Sequence, residues 1–419
     1  MQRTSAGLIV GCAVSRRRLL GGVAGLGILS ASGAGLTSCA ANTAGTGEQV
    51  VPFYGSQQAG IITDVQDRLA FAAFDVTATR REDLVDMLKT WTAAAEAMSR
   101  GVMVPGDSHA DQVPPADTGE TVGLPPARLT VTIGFGPALF DGRFGLAPRR
   151  PTVFAELPPL PGETLDPARC GGDIAVQACA DDPQVAFHAV RNLARLGRGV
   201  VVTRWTQLGF GRTSATGTGQ QTPRNLMGFK DGTRNVRSDD SATLAKSVWV
   251  GAEAGQEWLR GGSYLVARRI RMFVETWDRD VLSNQEAVFG RAKYTGAPLT
   301  GKAEFDAPDF AARTAGGELT IPQNAHIRLA AFENNDGLRI LRRGYSFTDG
   351  IDARTGTLDA GLFFISFQKD PAQFIGLQRK LGQHDALNEY IRHVGSALFA
   401  CPQGVADASG YWGRSLFER

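Results

Sequence analysis

The stretch RLAFAAFDVTATRREDLVDMLKTWTAAAEAMSR, residues 68–100, changes its hydrophobic period partway along. Apolar residues alternate in its first part, RLAFAAFDVT, which predicts a β-strand. From Arg81 onward they recur at helical spacing, which predicts an α-helix. A strand followed directly by a helix is the first half of a β-α-β unit, so the neighbouring segments decide which unit it is.

The segments that follow complete a six-element unit. Alternation in RLTVTIGFG (128–136) and the apolar run in DIAVQACAD (173–181) predict two strands. DPQVAFHAVRNLARLG (182–197) then predicts a helix and GVVVTRWTQLGF (199–210) a strand. The resulting order is β-α-β-β-α-β, the ferredoxin-like plan.

The second half of the chain repeats this plan. The predicted strands are GGSYLVARRIRMFV (261–274), HIRLAAF (326–332), LRILRRGYSF (338–347), GLFFISFQKD (361–370) and GSALFACPQ (395–403); one or two helices are predicted within 276–293 and another from Pro371 to His393. We therefore expect an α+β protein of two ferredoxin-like units, residues 61–215 and 216–419, whose antiparallel sheets pack face to face as a dimeric α+β barrel. The polar stretch TSATGTGQQTP (213–223) marks the boundary.

The composition excludes two broad classes of protein. Of the 419 residues 43% are hydrophobic and 21% charged, which is typical of a globular protein with a sizeable core and not of a disordered chain. Residues 1–38 hold four arginines and no acidic residue, which leaves 40 basic and 42 acidic groups and a formal charge of −2 for the remainder. We therefore expect no nucleic-acid partner.

Residues 1–38 are typical of a targeting segment. Arg16, Arg17 and Arg18 precede a glycine-rich apolar run that ends at Leu36, and this resembles a twin-arginine export signal. A transmembrane anchor is the alternative, but the run is short and glycine-rich. That route carries folded proteins, so we expect an extracytoplasmic or periplasmic protein whose cofactor is loaded before export.

The end of the signal and the following linker, residues 39–60, leave the mode of attachment open. Leu36-Thr37-Ser38-Cys39 resembles a lipobox, so a lipidated Cys39 would anchor the protein to a membrane, whereas Ala40 and Ala41 suit an ordinary signal peptidase. Of the other cysteines, an oxidising compartment permits a disulfide between Cys170 and Cys179 without requiring one.

The histidines and the common motifs restrict the chemistry. No C-x-x-C-H motif is present, so any haem is bound non-covalently, and GAPLTGKA (296–303) lacks the Ser or Thr of a phosphate-binding loop. Of the five histidines, His326 alone opens an apolar predicted strand. Without further information a structural histidine is the simpler interpretation.

The segment NLMGFKDGTRN, residues 225–235, places Asp231 between Lys230 and Gly232. An aspartate before a glycine most often forms a plain turn. However, GFKDG (228–232) matches the G-x-x-D-G motif of the dye-decolourising peroxidases, haem b enzymes built from two ferredoxin-like units. FYGSQQAGI, CGGDIAVQACAD, SYLVARRIRM, ETWDRDVLSNQEAVFGRAKYTGAP and HIRLA followed by LRRGYSF also resemble this family, in particular its exported branch associated with iron uptake.

The resemblance implies a role for each of three residues. His326 would be the proximal ligand of the haem iron, the single metal ligand. Asp231 would be the distal acid–base that moves a proton between the two oxygens of peroxide, and Arg342 the fixed cation that stabilises the separating charge. Since a free aspartate titrates at about pH 3.9, an acidic optimum is expected. Arg343 is expected to point away from the haem.

Further cofactor-binding residues follow from the same resemblance. Gly232, Thr233 and Arg234 would contact the haem edge or its propionates, and Glu389 would be the carboxylate that orients His326. The family often continues after HIRLA with Asn-Pro-Arg, whereas this chain has Ala331-Phe332-Glu333-Asn334. Those haem contacts therefore have no counterpart here.

The activity implied is a peroxidase with one haem b per chain that reduces hydrogen peroxide and oxidises a dye, phenol or porphyrin-type reducing substrate. The alternatives are a deferrochelatase that releases iron from haem, with iron-uptake proteins as partners, and a non-catalytic haem-binding module. The oligomeric state is left open.

Overall fold

The structure, a computed structural model, describes residues 50–107, 109–217 and 219–418. The predicted signal segment and Cys39 lie outside the described residues. The residues that the structure describes all belong to one compact unit. The boundary predicted at residues 215 and 216 stays a prediction.

Nine strands and eight α-helices are assigned within the described residues. The strands are β1 (Arg68–Val76), β2 (Thr130–Phe135), β3 (Ile174–Ala180), β4 (Val201–Arg212), β5 (Ser263–Met272), β6 (Leu341–Arg342), β7 (Tyr345–Asp352), β8 (Thr357–Gln368) and β9 (Ile391–Cys401). The helices are α1 (Arg81–Ser99), α2 (Pro183–Leu196), α3 (Ser241–Ser247), α4 (Val274–Trp277), α5 (Leu282–Phe289), α6 (His326–Ala330), α7 (Pro371–His384) and α8 (Arg414–Phe417). Short 3₁₀ turns include Phe332–Asn334 and Ala386–Glu389.

The strands close into one antiparallel barrel. Their order is β5-β9-β2-β3-β1-β4-β7-β8, and β8 pairs with β5 to complete the ring. β6 pairs with the same edge of β8 that β7 uses. Two narrow seams join the sheets of the two halves: Phe135 opposite Ala400, and β4 with β7 at Phe210 and Ser346. The predicted α+β barrel of two ferredoxin-like units is confirmed.

Side-chain alternation separates the barrel interior from the layer beneath the helices. In β1, Leu69, Phe71 and Ala73 belong to the inner cluster, whereas Ala70 and Phe74 pack in the outer cluster with α1 and α2. A strand whose side chains are buried on both faces lies between two apolar layers. The same alternation in β5 directs Leu265 and Ala267 inward, so Arg268 and Ile270 belong to the opposite, outer face.

Local signals fix where α2 and α7 begin. Asp182 accepts hydrogen bonds from the backbone N–H groups of Gln184 and Val185, and Pro183 occupies the first turn of α2. Asp370 and Gln373 form a reciprocal capping box at the start of α7. An aspartate cap followed by proline satisfies end groups that would otherwise lack partners.

Two expectations from the sequence are wrong in detail. His326 opens the short helix α6, not a strand, and α7 ends at His384 instead of continuing to His393, which lies in β9. Cys170 and Cys179 are free thiols and form no disulfide. Cys179 is buried within β3, so the two side chains occupy different environments.

Among the residues that the structure describes, no helix is long and apolar enough to cross a membrane.

Candidate active site

A cavity of about 230 Å³ lies between the outer face of the second-half sheet and the helices α6 and α7. About 10–15 Å³ is enough to hold one water molecule, so this cavity is large enough for an organic ligand. Its apolar wall combines residues of β5, β8 and β9 with residues of the two helices, such as Ile270, Phe364, Ile327 and Leu377. His326, Asp231 and Arg342 all line it.

His326 is held by a buried carboxylate. The distance from its Nδ1 to Asp385 Oδ2 is 2.6 Å, and the side chain of Asp385 is 3% exposed. Burial alone would lower the pKa of His326, but the charge and hydrogen bond of Asp385 outweigh this and raise it. Since Nδ1 is engaged, Nε2 is the imidazole nitrogen left for a ligand in the cavity.

The carboxylate partner of His326 is Asp385 and not Glu389, which corrects the expectation from the sequence. Both residues belong to the same short turn, where Asp385 caps the 3₁₀ segment Ala386–Glu389 through Oδ1 and the backbone N–H of Leu387 at 2.9 Å. Its second oxygen faces His326. Glu389 ends the turn, is exposed and does not line the cavity.

The loop that carries Asp231 is anchored by its apolar residues. Met227 and Phe229 are 1% exposed, and the ring of Phe229 stacks on that of Phe289 with centroids 4.1 Å apart. Gly232 has a φ of +92°, and a Cβ there would lie 2.9 Å from the Cα of Ser214. Glycine is therefore required at this position for both its conformation and its close approach.

Asp231 and Arg342 form a direct pair. Arg342 Nη1 donates to Asp231 Oδ1 at 2.6 Å, while Asp231 Oδ2 has a longer contact of 3.4 Å with Asn225 Nδ2. The side chain of Asp231 is 17% exposed and that of Arg342 is 28% exposed. The structure thus brings together the two residues predicted for proton transfer and charge stabilisation, 111 positions apart in the chain.

Asn235 fixes the backbone of Arg342. Its Oδ1 accepts from the Arg342 N–H and its Nδ2 donates to the Arg342 carbonyl, both at 2.8 Å. A second donation, to the Ala215 carbonyl at 3.2 Å, ties the same amide to the preceding loop. Arg343, as expected, points the other way and is fully buried against Thr63 and Gln66.

Gly232, Thr233 and Arg234 also line the cavity, but the latter two already have partners. Thr233 Oγ1 donates to Glu304 Oε1 at 3.1 Å. Arg234 forms a two-bond pair with Glu333, a residue of the stretch that departs from the family pattern. Their proximity to the cavity is consistent with the expected roles.

The cavity concentrates positive charge. Burial, assisted by the nearby guanidinium groups of Arg234 and Arg342 and opposed by the charge of Glu304, lowers the pKa of Arg291 to about 10. Lys230 is paired with Glu304. Such a cluster favours an anionic ligand.

Sequence reasoning missed two residues of this site. Asp385 could have been found as the acidic residue before a short turn, but nothing local indicates that its second oxygen reaches a histidine 59 positions away. Asn235 carries no signal beyond its place in the 225–235 segment. Both act through long-range contacts.

The donor set fits haem. An imidazole whose other nitrogen is bonded to a carboxylate is a common iron ligand arrangement, the walls are largely apolar, and the guanidinium groups suit the two carboxylates of the porphyrin. Within residues 50–107, 109–217 and 219–418, no group of three or more His, Cys, Asp or Glu could hold a bare metal ion. One histidine ligand to a porphyrin-bound iron needs no such group.

Family models match both halves of the chain. The model for Dyp-type peroxidase, N-terminal, matches residues 58–211 and that for Dyp-type peroxidase, C-terminal, matches residues 222–406. The chain is 38% identical over 414 residues to a deferrochelatase of Shigella flexneri, covering 96% of this chain and 97% of the relative. A deferrochelatase of Yersinia pseudotuberculosis is 39% identical over 423 residues, with 96% and 95% covered.

Solved structures agree with the sequence matches. Ferric DtpA from Streptomyces lividans is 38% identical with a TM-score of 0.81, covering 89% of this chain and 99% of that one. A DyP-type peroxidase from Cellulomonas bogoriensis is 39% identical with a TM-score of 0.79, covering 90% and 100%.

Proposed function

Since this chain belongs to the Dyp-type peroxidase family and is accordingly a haem peroxidase, we propose that His326, Asp231 and Arg342 carry its chemistry. His326 would hold the haem iron through Nε2, Asp231 would transfer the proton and Arg342 would stabilise the developing charge. The observation that supports this assignment is that one cavity is lined by a carboxylate-bonded imidazole and by the Asp231–Arg342 pair.

Asp385 keeps the imidazole in the orientation that a ligand requires. Its carboxylate accepts a hydrogen bond from Nδ1–H, so the tautomer whose Nε2 carries no proton is favoured, and the negative charge makes Nε2 a stronger electron-pair donor to a metal. Haem, when bound, supplies the redox chemistry that couples peroxide reduction to oxidation of a reducing substrate. The protein supplies orientation and proton transfer.

The two oxygens of Asp231 are suited to different tasks. Oδ1 is held by the guanidinium of Arg342, whereas Oδ2 has only the longer contact with Asn225. Oδ2 is therefore the oxygen that takes a proton from hydrogen peroxide and returns it to the leaving oxygen. Arg342 stays protonated throughout, and its backbone is clamped by Asn235, so its charge is fixed before the reaction begins.

Spectroscopy and dye bleaching test the assignment. We expect a Soret band from the purified protein that is lost or displaced in His326→Ala and retained in the control His384→Ala, because His384 is exposed at the end of α7. Peroxide-dependent bleaching should disappear in Asp231→Ala and Arg342→Leu while the haem remains bound. An unchanged spectrum in His326→Ala would contradict the ligand assignment.

A second candidate function, release of iron from haem, is supported by the relatives named deferrochelatase. In that case haem is the substrate, and iron and intact porphyrin are the products. Incubation with haem and a reductant should then yield metal-free porphyrin, which is identified by its fluorescence. Its absence would leave peroxidase activity as the function of the cavity. Iron-uptake proteins would be partners only of the second function.

Export by the twin-arginine route and lipidation of Cys39 are also part of the proposal, on the sequence of residues 1–39. Mass spectrometry of the processed protein tests them: a diacylated cysteine at the new N-terminus supports lipidation, whereas an unmodified terminus at Ala40 or beyond contradicts it. Replacement of Arg16 and Arg17 by lysine should retain the precursor inside the cell. Elution volume on a sizing column gives the oligomeric state.

A further inference from the structure

An arginine–glutamate pair lies at the edge of the cavity. Arg234 Nη1 donates to Glu333 Oε2 at 3.0 Å and Nη2 donates to Oε1 at 2.5 Å, so both carboxylate oxygens are used. The side chains are 32% and 43% exposed. Arg234 lines the cavity whereas Glu333 does not, so the glutamate holds the arginine from the solvent side.

Phe332 connects this pair to a second guanidinium group. The Arg234 guanidinium lies 4.4 Å from the centroid of the Phe332 ring, and that of Arg339 lies 3.8 Å from it. All three residues line the cavity. Two like charges thus share one aromatic ring, an arrangement that an added anion would stabilise.

Arg339 differs from most cations of the cavity because it forms no close ion pair in the described part of the chain; its charge acts on Glu333 and Asp240 only at longer range, where it helps to lower the pKa of each carboxyl. Four others are occupied: Arg342 by Asp231, Lys230 by Glu304, Arg268 by Glu163, and Arg291 by the carbonyls of Gly296 and Glu304. A carboxylate entering the cavity therefore meets Arg339, which has no close carboxylate partner, and Arg234, whose partner Glu333 is half-exposed.

We propose that Arg234 and Arg339, on either side of Phe332, bind a carboxylate of the porphyrin, and that Glu333 is an internal competitor which that carboxylate displaces. The inference rests on the proposed haem-binding function. Glu333 places an acidic side chain beside this subsite, where it already occupies Arg234.

Glu333 lowers the affinity of Arg234 and Arg339 for a porphyrin carboxylate without altering the iron ligand. An exposed bidentate pair is worth enough to change a binding constant by about two- to fivefold. The carboxylate charge of Glu333 also opposes a second carboxylate nearby. The consequence is faster exchange of the porphyrin, which suits a protein that must release it.

The competition is tested by crossing protein variants with ligand esters. Apoprotein is loaded with haem or with haem dimethyl ester, in which both carboxylates are neutral, and transfer to excess apomyoglobin is followed by absorbance. We expect Glu333→Gln to slow release of haem about two- to fivefold and to leave release of the ester unchanged. Arg234→Gln should speed release of haem alone, and in that background Glu333→Gln should slow release of haem less than it does in the otherwise unmodified protein, because only the charge repulsion remains to be removed.

A matched control breaks a similar pair elsewhere. Glu96 forms a two-bond pair with Arg100 on α1, which does not line the cavity, so Glu96→Gln should release both ligands as the unmodified protein does. Equal slowing of both ligands by Glu333→Gln, no slowing, or faster loss of haem would overturn the inference. A missing Soret band with both ligands would instead overturn the proposed function.

Discussion

Replacing Asp385 by asparagine is the sharpest test of how the imidazole is held. Two donors converge on this carboxylate: His326 Nδ1 at 2.6 Å on Oδ2, and the backbone N–H of Leu387 at 2.9 Å on Oδ1. Asparagine has the same shape but only one acceptor oxygen. One of the two donors must therefore face an amide NH₂ group in a site where the carboxylate is 3% exposed.

The expected loss of haem affinity follows from the loss of one hydrogen bond to the Asp385 carboxylate. Loss of a buried hydrogen bond to a charged group costs about 1.5–3 kcal/mol, and removal of the carboxylate behind a ligating histidine typically lowers affinity or activity by about 10–100-fold. We expect Asp385→Asn to weaken haem binding by about that factor, whichever donor the remaining oxygen serves. If it serves Leu387, the imidazole loses its orientation; if it serves His326, the turn is destabilised.

The assay is a titration of apoprotein with haem at the Soret band, alongside urea unfolding of the apoprotein. Glu389→Gln, four positions further on and exposed, is the matched control and should change neither measurement. A dissociation constant for haem in Asp385→Asn within twofold of that of the unmodified protein would contradict the role of Asp385 in orienting His326. Weaker haem binding in Glu389→Gln would contradict it more strongly.

Three further outcomes follow from the same geometry. Asp231→Asn should lower peroxide-dependent dye bleaching by about 10²–10⁴-fold with the Soret band retained, and near-normal turnover would exclude Asp231 as the proton carrier. Asn235→Ala removes both bonds to the Arg342 backbone, so urea unfolding should show a loss of about 1–3 kcal/mol together with reduced turnover; unchanged turnover would mean that the clamp is only structural. Burial lowers the pKa of His393 to about 3, assisted by Arg268 and Arg392. Between about pH 6.5 and pH 3, His393 is therefore protonated in the unfolded chain but not in the folded protein. The free energy of unfolding should fall as the pH falls through this range, by about 2–3 kcal/mol at pH 4.5. Urea titrations of His393→Leu should lack this part of the pH dependence.

The fold was predictable because its signals are local and repeated. The alternation over 68–76, the helical spacing from Arg81 and the caps at Asp182 and Asp370 are each decided within a few residues. One exception, besides the end of α7, is HIRLAAF, where alternating apolar residues indicate a strand. Here the backbone is helical, and Arg328 donates to the carbonyls of Phe310 and Ile321, contacts that no short window of sequence contains.

The site was predictable only where a long motif carried it. Asp231, Arg342 and His326 were identified from the resemblance, and the structure places all three around one cavity. The choice of Glu389 failed because an alignment position says nothing about which end of a short turn faces inward. Sequence position alone cannot distinguish the two ends, whereas burial does.

Asp385 shows why a residue that supports the iron ligand is difficult to identify from a sequence. Aspartates cap helical turns repeatedly in this chain, and a cap consumes one carboxylate oxygen, which leaves the other to be assigned by tertiary structure. Of these aspartates, Asp385 alone is buried, so water cannot satisfy its second oxygen and a protein donor must. The capping signal thus reveals the turn, while the burial that converts a cap into a support for the iron ligand depends on α6, which reaches the turn from 59 positions away. Within the described residues the aspartates whose side chains cap a helical turn are Asp166, Asp182, Asp240, Asp370 and Asp385.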